Sequence, residues 1–123
     1  MRLLYFSFAF ILTLVANPAY AGKVDDAVQK GVKFLVSSQD KRTGAFGRKH
    51  RYPMTALALM AMAAVGHQPT DPGEIGEAMK KGIEFLLRDD PSRLRQGGYY
   101  GVDGSRMYGH GITTLCLGEM LGM

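Results

Sequence analysis

Apolar residues recur with a helical period in four stretches of the chain, and the charges between them decide how much of each helix can be buried. From Lys23 to Ser38, the residues Val24, Ala27, Val28, Gly31, Val32, Leu35 and Val36 share one side, with Asp25, Asp26, Lys30 and Lys33 largely opposite. That 3.6-residue spacing predicts an amphipathic helix. Met54 to Val65, MTALALMAMAAV, carries no charge, so a helix there must bury most of its surface. Pro53 suits its first turn and Gly66 its end. A third helix is predicted from an Asp71 cap and Pro72 to about Arg88, with Ile75, Ala78, Met79, Gly82, Ile83, Phe85 and Leu86 on its apolar side. The fourth, Gly111 to Leu121, is mostly apolar with Glu119 as its one charge. A polar, basic connection runs from Gln39 to Arg51, and a Gly- and Arg-rich one from Asp89 to Met107.

The order amphipathic, apolar, amphipathic, apolar is also a repeat in sequence. Ala27, Lys30, Gly31, Val32, Phe34 and Leu35 return 51 residues later as Ala78, Lys81, Gly82, Ile83, Phe85 and Leu86. Gly44-Ala45-Phe46-Gly47 parallels Gly98-Tyr99-Tyr100-Gly101, and Thr55-x-Leu57-x-Leu59 parallels Thr113-x-Leu115-x-Leu117. Repeats of this period imply stacked supersecondary units. Each unit here is an outer amphipathic helix backed by an inner apolar one, repeat one over about 23–67 and repeat two over about 74–123. A glycine inside a helix costs about 1 kcal/mol relative to alanine. Its recurrence at Gly31 and Gly82 on the apolar side is expected to let the inner helix approach closely.

The start of the chain belongs to no repeat. Residues 1–21 hold one basic residue, Arg2, an uncharged apolar run from Leu3 to Ala16, then Pro18 and the triplet Ala19-Tyr20-Ala21. That is the pattern of a secretory signal peptide cut after Ala21, and the apolar run of 14 residues is short for a membrane span of about 20. Export to the periplasm or the exterior is the expected localisation, with residues 22–123 as the folded region. A formal charge of +4 over the whole chain is too mild to argue for nucleic acid. Cys116 is the only cysteine, so no intrachain disulfide can form and a packed core must hold the fold.

Lys30-Gly31, Phe34, Gln39, Gly44 and Phe46 together resemble the QW motif of squalene-hopene cyclases and related terpenoid cyclases, with Phe46 where that family has Trp. Lys81-Gly82, Phe85, Gly98 and Tyr100 form a weaker second copy, in which Asp89 or Asp90 replaces the Gln. MYGHGITTLCLGEMLGM, Met107 to Met123, is similar to a segment of secreted bacterial prenyltransferase/squalene oxidase repeat proteins. The resemblance spans residues 23–123. It implies an all-α fold of α/α-toroid type, with inner and outer helices alternating around an apolar cavity. It also implies that Gln39 bonds to orphan helix-end groups while Phe46 covers its amide plane. Two hairpins make an incomplete toroid whose inner helices expose one side, so the chain is expected to be the N-terminal arc of a longer protein, with a self-associating piece or a small open domain as the alternatives.

Candidate chemistry is sparse. The Asp-x-Asp-Asp acid of the cyclases is absent, and Asp89-Asp90 before Pro91 reads as a solvated cap. Cys116, His110 and Asp103 offer zinc-ligand types without a defensible spacing, so no metal or cofactor is expected, and Cys116 reads as a buried, inert thiol. CLGEM, Cys116 to Met120, cannot form a thioester because Met120 stands where the reacting Gln must be. His110, between two glycines at the start of an inner helix, either caps that helix and fixes the loop, which is the reading preferred, or is the one catalytic candidate, as a general acid or base near neutral pH. Tyr99, Tyr100, Asp103 and Tyr108 are expected on the same rim. The basic run Arg48 to Arg51, with Lys41 and Arg42, could meet anionic lipid head groups or phosphates, although a solvated loop explains it as well. The function expected is a non-catalytic binding or structural module. It would offer its apolar face to a protein partner, to the rest of a longer chain or to an isoprenoid ligand. The alternative is part of a terpenoid-cyclase-like enzyme whose acid lies outside these residues.

Overall fold

The computed structural model describes the backbone of residues 18–123 and the side chains from Gly22 onward. Its elements run α1 Pro18–Ser38, α2 Arg51–Ala64, α3 Glu74–Leu87, α4 Pro91–Leu94, a 3-10 turn Tyr100–Asp103, and α5 Arg106–Met120. The described residues contain no strand, and the fold class is all-α. The signal peptide expected over residues 1–21 lies outside the residues whose backbone and side chains are both described. The chain divides between Lys30 and Gly31. In the first unit the described residues form the leading half of α1, with Gly22 to Ala27 exposed; all else concerns residues 31–123.

The core of that second unit is built on α2. Leu59 and Met62 of α2, Met79 and Leu86 of α3 and Cys116 of α5 are fully buried, and Val32 and Val36 of α1 join the same cluster. Each such aliphatic side chain contributes about 1.5–3 kcal/mol of burial. Both α3 and α5 pack along α2, and the 3-10 turn packs on α5 and α2. Close contact comes from small residues. A Cβ on Gly109 would collide with Ser105 and come within 3.4 Å of Pro53, so this glycine lets α5 press against the start of α2.

Three expectations about element ends change. Asp71 does not cap α3: its carboxylate accepts from the Gln68 backbone N–H at 2.9 Å, and α3 starts after Gly73, at φ +97°. The Asp71 carbonyl instead lies against Gly76, where a Cβ would sit 2.0 Å from its oxygen. The predicted loop from Asp89 to Met107 contains α4 and the 3-10 turn, because Asp90 accepts from the Ser92 N–H at 2.8 Å and caps a Pro-initiated turn. The fourth helix begins at Arg106, five residues before the prediction, because Gly109 and Gly111 are packing and surface positions inside it. Gly66 does end α2 as expected. At φ +94° it donates to the Ala63 carbonyl while His67 donates to Met62, a pairing that satisfies the last free carbonyls.

The recurring glycines differ. Gly82 is buried, and a Cβ there would lie 3.0 Å from Leu59 Cδ2. Gly31 is exposed, and no described residue comes within 4 Å of that position. Among the described residues the close approach expected at both sites exists at Gly82 alone, since α2 covers this side of α3 and no described residue covers the matching side of α1. The uncharged stretch is also less buried than expected: Met54 and Leu57 of α2, and Val65 just after its end, are exposed.

Candidate functional site

Two loops, each carrying a glycine-flanked aromatic, organise the polar chemistry. In the first, the buried Gln39 amide donates from Nε2 to the Gly44 carbonyl at 2.9 Å and to the Ala78 carbonyl at 2.8 Å. The second acceptor lies inside α3 rather than at an orphan helix end, which corrects the expected role. One side chain thus joins its own loop to a helix 39 residues away. Phe46 is buried, and its N–H donates to Thr55 Oγ1 of α2 at 2.9 Å. Asp40 collects the N–H of Arg42 at 2.9 Å, the Thr43 hydroxyl at 2.7 Å and Arg51 Nη2 at 3.1 Å. The Thr43 hydroxyl, then the Arg42 N–H, hold its carboxyl below the usual carboxylate range. Replacing Gln39 by alanine removes both donors from buried carbonyls and is expected to cost about 2 kcal/mol, read from urea unfolding followed by circular dichroism. A cost near zero would mean that the amide ties nothing together.

The second loop carries the aromatic cluster. The Tyr100 N–H donates to His110 Nδ1 at 3.3 Å. The Tyr100 hydroxyl donates to the Leu86 carbonyl at 3.0 Å, where α3 is ending. His110 lies 5.2 Å from the Tyr99 ring and 6.2 Å from the Tyr100 ring, centroid to centroid. Tyr52, from the first turn of α2, meets Tyr100 edge-on at 5.3 Å and stacks on Phe85 at 5.4 Å. Buried Arg93 lies 4.7 Å over the Tyr100 ring and donates to the Arg88 carbonyl at 2.9 Å. Asp103 accepts from the Tyr52 backbone N–H at 3.1 Å, placing a carboxylate at the positive end of α2.

Three groups in this region have displaced pKa values. Burial, then the hydrogen bond to Asp90, pushes the Tyr52 phenol up to about 12. Ser92, then Tyr52, pulls Asp90 down to about 2. Burial, then the charge of Glu119, pushes the Cys116 thiol up to about 11. The folded state favours neutral Tyr52 and Cys116, so their contribution is complete below their ordinary values of 10.0 and 9.0 and is lost toward 12 and 11. Asp90 favours the charged form, so its contribution holds above 3.8 and is lost as pH falls toward 2. The urea midpoint should therefore begin to fall above about pH 9, and the Tyr52→Phe, Cys116→Ala double variant should flatten that fall. A thiol reagent at mild pH should modify Cys116 no faster than the chain unfolds.

The structure brings His110, Tyr99, Tyr100 and Asp103 to the α5 end of α2, although His110 lies within α5 rather than at its start. It separates Tyr108, which is 84% exposed on another side of α5. Lys30 and Lys81 are exposed, Phe34 is 68% exposed, and Gly98 adopts φ +81° beside Arg93. The basic run is not one loop: Arg48, Lys49 and His50 are exposed, whereas Arg51 opens α2, pairs with Asp40 and lies 5.2 Å from the Phe85 ring. Sequence reasoning missed Tyr52 and Arg93, and it read Asp90 as a cap, which it is, without the bond from the Tyr52 hydroxyl. Tyr52 follows a basic run and precedes a proline, and only its partners 38 and 51 residues away reveal its role.

Away from this cluster the apolar helices face open space. A groove of about 890 Å³ runs along Phe34, Phe46, Met54, Leu57, Ala58 and Ala61, with Arg48 and Arg51 at its edge. A second, of about 410 Å³, is formed on α5 by Met107, Tyr108, Gly111, Ile112 and Leu115. No group of three or more acidic, His or Cys side chains is placed to hold a metal ion among the described residues. No family model, no curated protein and no solved structure matches this chain, so the resemblance carried by its two Lys-Gly motifs stands on those residues alone.

Proposed function

We propose that this chain is an exported, non-catalytic repeat module of incomplete α/α-toroid type, and that it works by presenting the apolar sides of α2 and α5. The observation that carries the reading is the matched exposure of Leu57 and Leu115, counterparts in the two sequence repeats, at 46% and 58%. Each belongs to a helix whose other side is buried, and each lines an apolar groove with its neighbours, the kind of contiguous exposed patch that serves as a binding surface. The polar groups of the aromatic cluster support the same reading. His110 Nδ1 accepts from the Tyr100 backbone, and Asp103 accepts from the Tyr52 backbone, so these atoms hold the loop and the helix start rather than aim at a substrate. A dye specific for exposed apolar surface should bind the purified chain, and the Leu57→Lys, Leu115→Lys double variant should bind it several-fold less. Incubation with isoprenoid substrates should give no turnover. Turnover abolished by His110→Ala would replace this reading with the cyclase-like one.

A further inference from the structure

We infer that the two ends of the repeat array are complementary and that copies of the chain stack head to tail through them. The inference rests on the module reading above and names its partner as a second copy. Its starting point is one residue pattern in two environments. In the second repeat, Gly82 is pressed against Leu59, and Phe85 stacks on Tyr52 at 5.4 Å beneath Arg51. In the first repeat, no described residue lies within 4 Å of the position above Gly31, and Phe34 is 68% exposed. The covering residues of α2 have counterparts too. Aligning Thr55 with Thr113 places Leu117 of α5 at the position of Leu59 and His110 at that of Tyr52. Leu117 and His110 are both partly exposed.

The chain therefore carries an uncovered Gly31-Phe34 side at one end and a covering set, His110 and Leu117, at the other. What α2 does for α3 within one copy, α5 can do for α1 of the next. Leu117 would seat on Gly31, the imidazole of His110 would stack on Phe34, and the groove along Phe34, Met54, Leu57 and Ala61 would receive the apolar rim of the incoming α5. The two patches differ, so the contact is heterologous. Such contacts do not end at a pair but build rings or open stacks.

Sedimentation of the purified chain over a concentration series tests this. The parent chain should gain mass with concentration. Gly31→Leu, Phe34→Arg and Leu117→Glu should each weaken that association at least tenfold while keeping the parent circular dichroism spectrum. If Leu117→Glu does not fold, Leu117→Ala takes its place. The decisive arm mixes Phe34→Arg with Leu117→Glu. Each variant retains one sound end, so an equimolar mixture should form a one-to-one complex and nothing larger. A parent chain that stays monomeric, or a mixture no more associated than its components, overturns the stacking. Dye binding that persists in that case leaves the module reading standing, and dye binding that also fails removes both.

Discussion

Replacing Gly44 by alanine should cost about 3 kcal/mol or more of folding stability. Two effects add at this position. Gly44 has φ +82°, a region that costs an L-residue about 1–2 kcal/mol. A Cβ there would also lie 2.3 Å from the Lys81 carbonyl oxygen and 2.8 Å from its carbon. Those are backbone atoms of α3, so no side chain can swing aside. Nor can α3 easily withdraw, because Gln39 holds the Ala78 carbonyl, Arg88 donates to the Thr43 carbonyl at 3.1 Å, and Gly82 is seated on Leu59. A domain of this size has about 5–15 kcal/mol in total, so such a loss removes a large share. Urea unfolding of Gly44→Ala beside the parent chain measures it. A cost below about 1 kcal/mol would mean that the loop is not pressed against α3.

The second large effect is expected at Gly82. Leucine there must enter space already held by Leu59, whose Cδ2 would lie 3.0 Å from the first added atom. Leu59 is fully buried, in an interior packed closely enough that added atoms are felt. Overpacking of this kind costs about 1–3 kcal/mol and occasionally more, and the added length of leucine puts Gly82→Leu at the upper end. The gain in helix propensity, somewhat under 1 kcal/mol, does not offset it. At Gly31 the first added atom meets no described residue within 4 Å, so the propensity gain dominates.

This pair also shows where sequence and structure part. The four helices and their apolar sides follow from local spacing, because period and charge act on neighbouring residues. Their ends were less legible. Asp71 has the identity and spacing of a cap, yet its carboxylate closes a turn back to Gln68. Gly109 resembles a helix breaker but is the position that lets α5 reach Pro53. The aromatic cluster was half visible: Tyr99, Tyr100, Asp103 and His110 lie close together in sequence, whereas Tyr52 enters from the other repeat. Gln39 was legible as a tie because its motif is distinctive, but its acceptor in α3 was not. Gly31 and Gly82 are indistinguishable in sequence, and only the presence or absence of a covering helix separates them.

The account turns on that difference: one copy of the Lys-Gly motif is seated under α2, and the other is open. Urea unfolding of Gly31→Leu and Gly82→Leu, at protein concentrations low enough to keep the chain monomeric, tests it with one comparison. Gly31→Leu should be more stable than the parent by a few tenths to 1 kcal/mol, and Gly82→Leu less stable by about 2–4 kcal/mol. Equal shifts in the same direction for both variants would contradict the account.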